Sequence, residues 1–379
     1  MDLNGCPGGT GRLTVDLDAV RANFAALAAH VAPAACAAVI KADAYGLGAP
    51  FVAEALHRQG CRSFFVAHLS EALAIARVLE PDSDIFVLNG LEPGYEPLCA
   101  DRGFIPVLNA PEQVEAWRGL AIERGRALPA ALQIDTGMSR LGMDLDCAVR
   151  LANDATLAEQ LSLRLLMTHL ACADLPDHPA NADQLARFAA VRSLFPAVPA
   201  SIANSAGAVL GGGYHFDLVR AGLALFGTVS TGTTASPLPA VRLDARIIQI
   251  RTIEPGDGVG YGLAHIASTP QRLATLGIGY ADGWPRSLSG RGAAWFKGVR
   301  LPIVGRVSMD CMTVDISALP EGALGHGDFV ELIGPSQSAV DVADDAGTID
   351  HEILARLGTR FQRLFIESGV TDIQSPGGL

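Results

Sequence analysis

Positive charge is scarce in this sequence. Across 379 residues, 28 Lys and Arg stand against 40 Asp and Glu, a net charge of −12. That balance argues against nucleic acid or an anionic membrane surface as a partner. Long apolar runs are missing too, since none approaches the roughly 20 residues that cross a bilayer. The first eleven residues lack the basic-then-apolar order of a secretory leader. The expectation is a soluble, cytoplasmic protein. Cysteine is sparse and unpatterned: Cys6, Cys36, Cys61, Cys99, Cys147, Cys172 and Cys311 are an odd, scattered set. They show no Cys-x-x-Cys spacing for zinc and no disulfide framework, so most are expected to be small core residues. Aromatics make up only 6% of the chain, which with abundant alanine suits helix-rich packing.

What is present is alternation. After a short strand at 13–17 and a helix at 19–32, with Asp18 as its expected cap, apolar runs recur. They lie at 37–40, 63–67, 84–88, 105–108, 131–135, 165–169, 200–204 and 218–225. Helical patterns separate them, at 51–59, 70–79, 111–124, 145–152, 181–195 and 205–210. Eight strands with intervening helices predict an α/β fold, a (β/α)8 TIM barrel over 18–230. The Thr/Ser/Pro-rich stretch 231–239 reads as a linker. Beyond it, strand-like runs at 246–253, 272–278, 293–296, 301–307, 312–316, 328–333 and 362–366 predict a mainly β domain over 240–379. The first strand is expected to join that domain. A single helix is expected near the end, at 350–357.

Functional groups of such a barrel collect at the C-terminal ends of its strands, and the notable residues fall there. Lys41 ends the first barrel strand and is followed by Tyr45, Gly46 and Gly48. A lysine at the end of a buried strand is costly to keep charged, which lowers its pKa toward nucleophile or base; a Schiff-base lysine needs that environment. The plainer reading is a lysine that snorkels to solvent. Arg140 follows the fifth strand, His169 the sixth, Asn204 and Ser205 the seventh, and Arg220 and Gly222 lie on the last. Ser205 at a helix start, with Gly222 allowing close approach, can hold a phosphate, although a serine there is equally an ordinary N-cap.

Ile40-Lys-Ala-Asp-Ala-Tyr-Gly-Leu-Gly48 resembles the pyridoxal-phosphate motif of alanine racemases, and later segments resemble that family in order from about Leu13 to Phe365. The resemblance implies pyridoxal 5′-phosphate as cofactor, with Lys41 carrying it and Tyr45, Arg140, His169, Asn204, Ser205, Arg220 and Gly222 around it. It places Arg220 against the pyridine nitrogen. An arginine keeps its proton, so the ring is a weaker electron sink there than beside an aspartate. Gly258-Val-Gly-Tyr261-Gly262 has dinucleotide-like glycines but no βαβ setting; the resemblance instead makes Tyr261 the second catalytic base. Tyr280, in Gly277-Ile-Gly-Tyr-Ala-Asp-Gly-Trp-Pro-Arg286, and Met309 with Asp310 are implied to meet substrate. Racemisation needs acid/base groups on both faces of one carbon, and Lys41 with Tyr261 meet that need. A phenol, with a reference pKa of about 10, then needs cationic help, expected from His169 and Arg220. In the family that tyrosine comes from the partner subunit, which implies a homodimer with shared sites.

Two positions depart from some family members. Gln133 stands where those members carry a carbamylated lysine, so no carbamate is expected and its amide is a candidate acceptor for Arg140. Thr359 stands where some carry a tyrosine near phosphate and substrate, which opens the question of serine beside alanine. No metal is expected, because Pro176 and Pro179 interrupt the His169, Asp174 and His178 set. The expected activity is alanine racemisation, for cell-wall D-alanine or for D-alanine breakdown. The rivals are a serine/alanine racemase, a non-catalytic pyridoxal-phosphate-binding barrel protein and a related decarboxylase. Tyr261 and Met309 argue against the second, Arg220 against the third.

Overall fold

The computed structural model describes residues 9–228 and 237–368. Cys6, the linker as far as residue 236, residues 229–230 and the end of the chain beyond 368 lie outside the described residues.

The first strand, β1 (Gly11–Asp16), leads into a helix over Leu17–Val31. Asp16, not Asp18, caps that helix: its carboxylate accepts the Ala19 N–H at 2.9 Å. Leu17 is buried and already helical, which moves the start back two residues, and Asp18 pairs with Arg21.

Eight parallel strands follow: β2 (Ala35–Val39), β3 (Ser63–Val66), β4 (Asp84–Val87), β5 (Ile105–Leu108), β6 (Leu128–Gln133), β7 (Leu161–Met167), β8 (Ala200–Ser201) and β9 (Leu218–Ala221). Each pairs with the next from β2 to β8, and β9 pairs with β2. An isolated parallel bridge between Asn204 and Arg220 joins the β8 end to β9, so the sheet closes into a TIM barrel. Strands buried on both faces read as continuous apolar runs rather than alternations, and Ile105–Leu108 is buried throughout. Alternate residues point inward, where Ala37, Val39, Phe65, Phe86, Val107 and Met167 share one core. Phe65 and Phe86 stack there at 4.4 Å between ring centroids. Their neighbours Ala38, Phe64 and Val66 face the surrounding helices.

The mainly β second domain forms another eight-stranded sheet around the long strand Val241–Ile253. Its first half pairs antiparallel with Phe329–Ile333 and with β1, its second half with Gln271–Leu276. β1 also pairs in parallel with Gln362–Ile366. Two helices, not one, lie near its end: Ala339–Ala346 and Asp350–Ala355. The first carries an N-terminal capping box (Ser338 with Asp341) and a closing Gly347 at φ 72°, both readable signals.

Candidate active site

Lys41 opens the most unusual backbone in the chain. Ala42, Asp43, Ala44 and Tyr45 all have φ of 53–57° and ψ of 40–50°, a full turn of left-handed helix. For L-residues this costs roughly 1–2 kcal/mol each, so surrounding contacts must hold it. Glu71 does much of that: its carboxylate accepts the Ala42 N–H at 2.6 Å and the Ala67 N–H at 2.7 Å. Asp43 accepts the Ala49 N–H at 2.7 Å. From the second domain, Arg363 donates to the Gly46 carbonyl. Gly46 itself sits at φ 80°, and a Cβ there would lie 2.6 Å from the Leu354 carbonyl oxygen. The turn directs Lys41 and Tyr45 into one cleft at the C-terminal end of the barrel, about 370 Å³ in volume.

His169, Asn204, Ser205, Arg220 and Gly222 line the same cleft. The Lys41 amine is held below the ordinary lysine pKa, chiefly by burial, then by the Arg140 and Arg220 cations, with Glu71 opposing. Arg220 is 3% exposed. It donates from Nη1 to Ser201 Oγ at 2.6 Å, and from Nη2 to the Thr168 carbonyl at 2.8 Å and His169 Nδ1 at 3.2 Å. These acceptors are neutral, and no carboxylate among the described residues pairs with it. Burial lowers its pKa to about 10, which leaves it charged near neutrality. None of these bonds uses Nε.

His169 departs from its expected role. Burial, then Arg220, Arg140 and Lys41, push its pKa down to about 3, so the ring is neutral and lends no charge to a phenol. An arginine cannot accept a hydrogen bond, so Nδ1 is the acceptor and the ring proton sits on Nε2. Behind it, Gln184 donates to the His169 carbonyl at 2.9 Å and accepts the Ala171 N–H at 2.8 Å, fixing the strand end.

Ser205 Oγ accepts the N–H of Gly222 at 2.8 Å and of Ala224 at 3.4 Å. That polarises its hydroxyl, whose proton makes no bond to the described residues. A Cβ at Gly222 would run into the Tyr45 hydroxyl. Tyr45, buried against Phe226, has its pKa raised by burial and remains a neutral donor. Together these groups form a donor-rich corner suited to an anion.

Apart from Arg140, which lies outside the lining but close enough for its charge to act on Lys41 and His169, the other predicted residues lie away from this cleft within one chain. Tyr261 is 71% exposed on a loop between Gly260 and Gly262, both with positive φ. Tyr280, Met309 and Asp310 are also exposed and line none of the cleft. Asp310 is paired with Arg360 at 2.7 Å. Arg140 is exposed at the end of the loop that Asp135 folds by accepting the N–H groups of Gly137, Met138 and Ser139. Gln133 does not reach Arg140; it is buried and donates to the Leu141 carbonyl at 3.1 Å. Thr359 is exposed and off the cleft. His178 accepts the Ala180 N–H as a helix cap. Sequence reasoning missed Glu71, signalled only by its place in a capping box with His68. It also missed His351, for which no sequence signal exists.

Family models for the N-terminal and the C-terminal domain of alanine racemase match residues 15–230 and 240–365. A catabolic alanine racemase of Agrobacterium fabrum is 51% identical over 365 residues, 96% of this chain and 94% of the relative. An alanine racemase of Brucella canis is 49% identical, covering 94% of this chain and 93% of the relative. Among solved structures, the alanine racemase of Bartonella henselae with covalently bound pyridoxal phosphate superimposes with a TM-score of 0.90. It is 43% identical over 95% of this chain and 100% of that one.

Proposed function

The chain belongs to the alanine racemase family, and we propose that it interconverts L- and D-alanine with pyridoxal phosphate, by two bases drawn from two subunits. What supports this most is a single cleft holding three features: an amine of lowered pKa, a buried guanidinium without a carboxylate, and a donor-rich corner. These residues fit the cofactor. Lys41 would carry it, Ser205 and Tyr45 would hold the phosphate, and the unused Arg220 Nε would face the ring nitrogen. Bound there, pyridoxal phosphate withdraws electrons from the substrate α-carbon and makes its proton labile.

The chain's own groups do the rest. The lowered pKa of Lys41 leaves a larger share of its amine free to take a proton on one face. Tyr261 of the partner subunit gives or takes one on the other, consistent with its lying outside its own cleft and exposed. His169, neutral, does not activate that phenol by charge; it orients Arg220. Arg140 would meet the substrate carboxylate, with Met309, Asp310 and Tyr280 of the second domain completing the pocket. The reaction is cytoplasmic in this reading and serves either peptidoglycan synthesis or D-alanine breakdown.

The test is α-proton exchange in deuterated buffer. Tyr261→Phe should lose most racemisation, by roughly 100-fold or more, while still exchanging the proton of D-alanine. Equal loss of exchange from both enantiomers would exclude two separate bases.

A further inference from the structure

One side chain behind the barrel joins the two strand ends that carry Arg140 and His169. Gln184 lies on the helix Pro179–Leu194 and is buried. Its amide is saturated: Oε1 accepts the Ala171 N–H at 2.8 Å, and Nε2 donates to the His169 carbonyl at 2.9 Å and to Thr136 Oγ at 3.2 Å. The backbone partners fix which end is oxygen, because an N–H only donates and a carbonyl only accepts. Thr136 Oγ lies 2.8 Å from Thr168 Oγ, and Arg187, one turn along the same helix, donates to the Thr136 carbonyl at 3.3 Å. Both threonines are buried. A buried polar network satisfied in this way specifies one geometry.

Thr136 opens the loop that carries Arg140. That loop is closed at its base, where the Asp135 N–H donates to the Met143 carbonyl and the Met143 N–H to the Gln133 carbonyl, each at 2.9 Å. These bonds fix its two ends but not its lean toward β7. Arg140 is exposed, and no hydrogen bond or ion pair to the described residues holds its side chain. Arg220 is the contrast, with acceptors of its own in Ser201, Thr168 and His169. Arg140 is therefore the group whose place depends on the buried contacts of Thr136.

We propose that Gln184 is a positioning residue for the reaction: through Thr136 it sets where Arg140 stands relative to Lys41 and His169, and so where the substrate carboxylate is held. The Arg140 cation is near enough to act on both of those groups, so a lean of the loop is felt at both. This inference rests on the reading, above, that Arg140 meets the substrate carboxylate.

The test starts from Thr136→Val, which keeps the shape, removes the hydroxyl and leaves the bonds of Gln184 to residues 169 and 171. It should raise KM for L-alanine about 10-fold with kcat within about threefold, and Thr136→Ser should restore KM. Gln184→Met should give the same split. Pyridoxal phosphate uptake, read as an absorbance titration of the apo-form of the full chain, should stay within about twofold of the unsubstituted protein in each variant. In an Arg140→Ala background, Thr136→Val should change KM by less than about twofold. A full, independent rise in KM in that background would overturn the proposal. So would a parallel fall in kcat and cofactor uptake, which marks a cleft loosened as a whole. An unchanged KM in Arg140→Ala alone would overturn the reading of Arg140, and the proposal with it, a result distinct from either.

Discussion

His169 shows how a single residue can be placed correctly and given the wrong charge. At a strand end beside an arginine it looks like a source of positive charge, but burial and three cations make the neutral ring the stable form. The consequence is measurable as acid sensitivity. The folded ring titrates at about 3, the unfolded one near 6.5, so below pH 6.5 only the unfolded chain takes up the proton. Stability from this group is full above pH 6.5 and lost as pH falls toward 3, by about 2–3 kcal/mol at pH 4.5. His169→Asn keeps an acceptor for Arg220 without a titrating ring. Urea unfolding at pH 7.5 and 4.5 should show a smaller acid loss in the variant. An identical loss in both proteins would assign the sensitivity elsewhere. Arg220 is the complementary case, a buried cation kept charged by good neutral acceptors.

At the scale of elements, the left-handed turn after β2 is where backbone strain serves the site. It aims Lys41 and Tyr45 into the cleft, and contacts from Glu71 and Arg363 hold it. Gly46→Ala tests that support. The new Cβ would press on the Leu354 carbonyl at a φ that disfavours it. The variant should lose about 2–4 kcal/mol of stability and take up pyridoxal phosphate poorly in the same absorbance titration. Wild-type melting and uptake would show the turn to be tolerant. The barrel itself was legible, because parallel strands buried on both faces leave short apolar runs, each ending in a polar residue such as Lys41 or His169. The turn was not. Ala-Asp-Ala-Tyr has no preference for left-handed backbone, and the tertiary contacts that impose it come from residues 71 and 363. The helix Ala339–Ala346 was legible in its capping box and was missed. The Gln133 contact was not legible, since which carbonyl a buried amide meets depends on how the 134–142 loop folds back.

For the whole molecule, the residues expected to act on the two faces of the substrate do not meet within one chain. Lys41 lies in the cleft, while Tyr261 at 71% exposure, Leu263 at 59% and Met309 at 52% stand on the second domain's surface. Their exposure leaves these side chains open to contact from a second copy of the chain. In a two-fold dimer each tyrosine can serve the opposite cleft. Subunit mixing separates this arrangement from a site completed within one chain. Lys41→Ala and Tyr261→Phe proteins, each nearly inactive, are unfolded together, refolded and assayed for loss of optical rotation of L-alanine. If sites are shared, a mixed dimer has one site with both lesions and one with neither. Random pairing then restores roughly a quarter of wild-type activity. If each site is built from one chain, every site in every dimer keeps a lesion and the mixture stays as inactive as its parents. Dilution gives the same answer from the other side, because activity that needs a partner's tyrosine must fall as dimers dissociate, even though each barrel stays folded with Lys41 in its cleft.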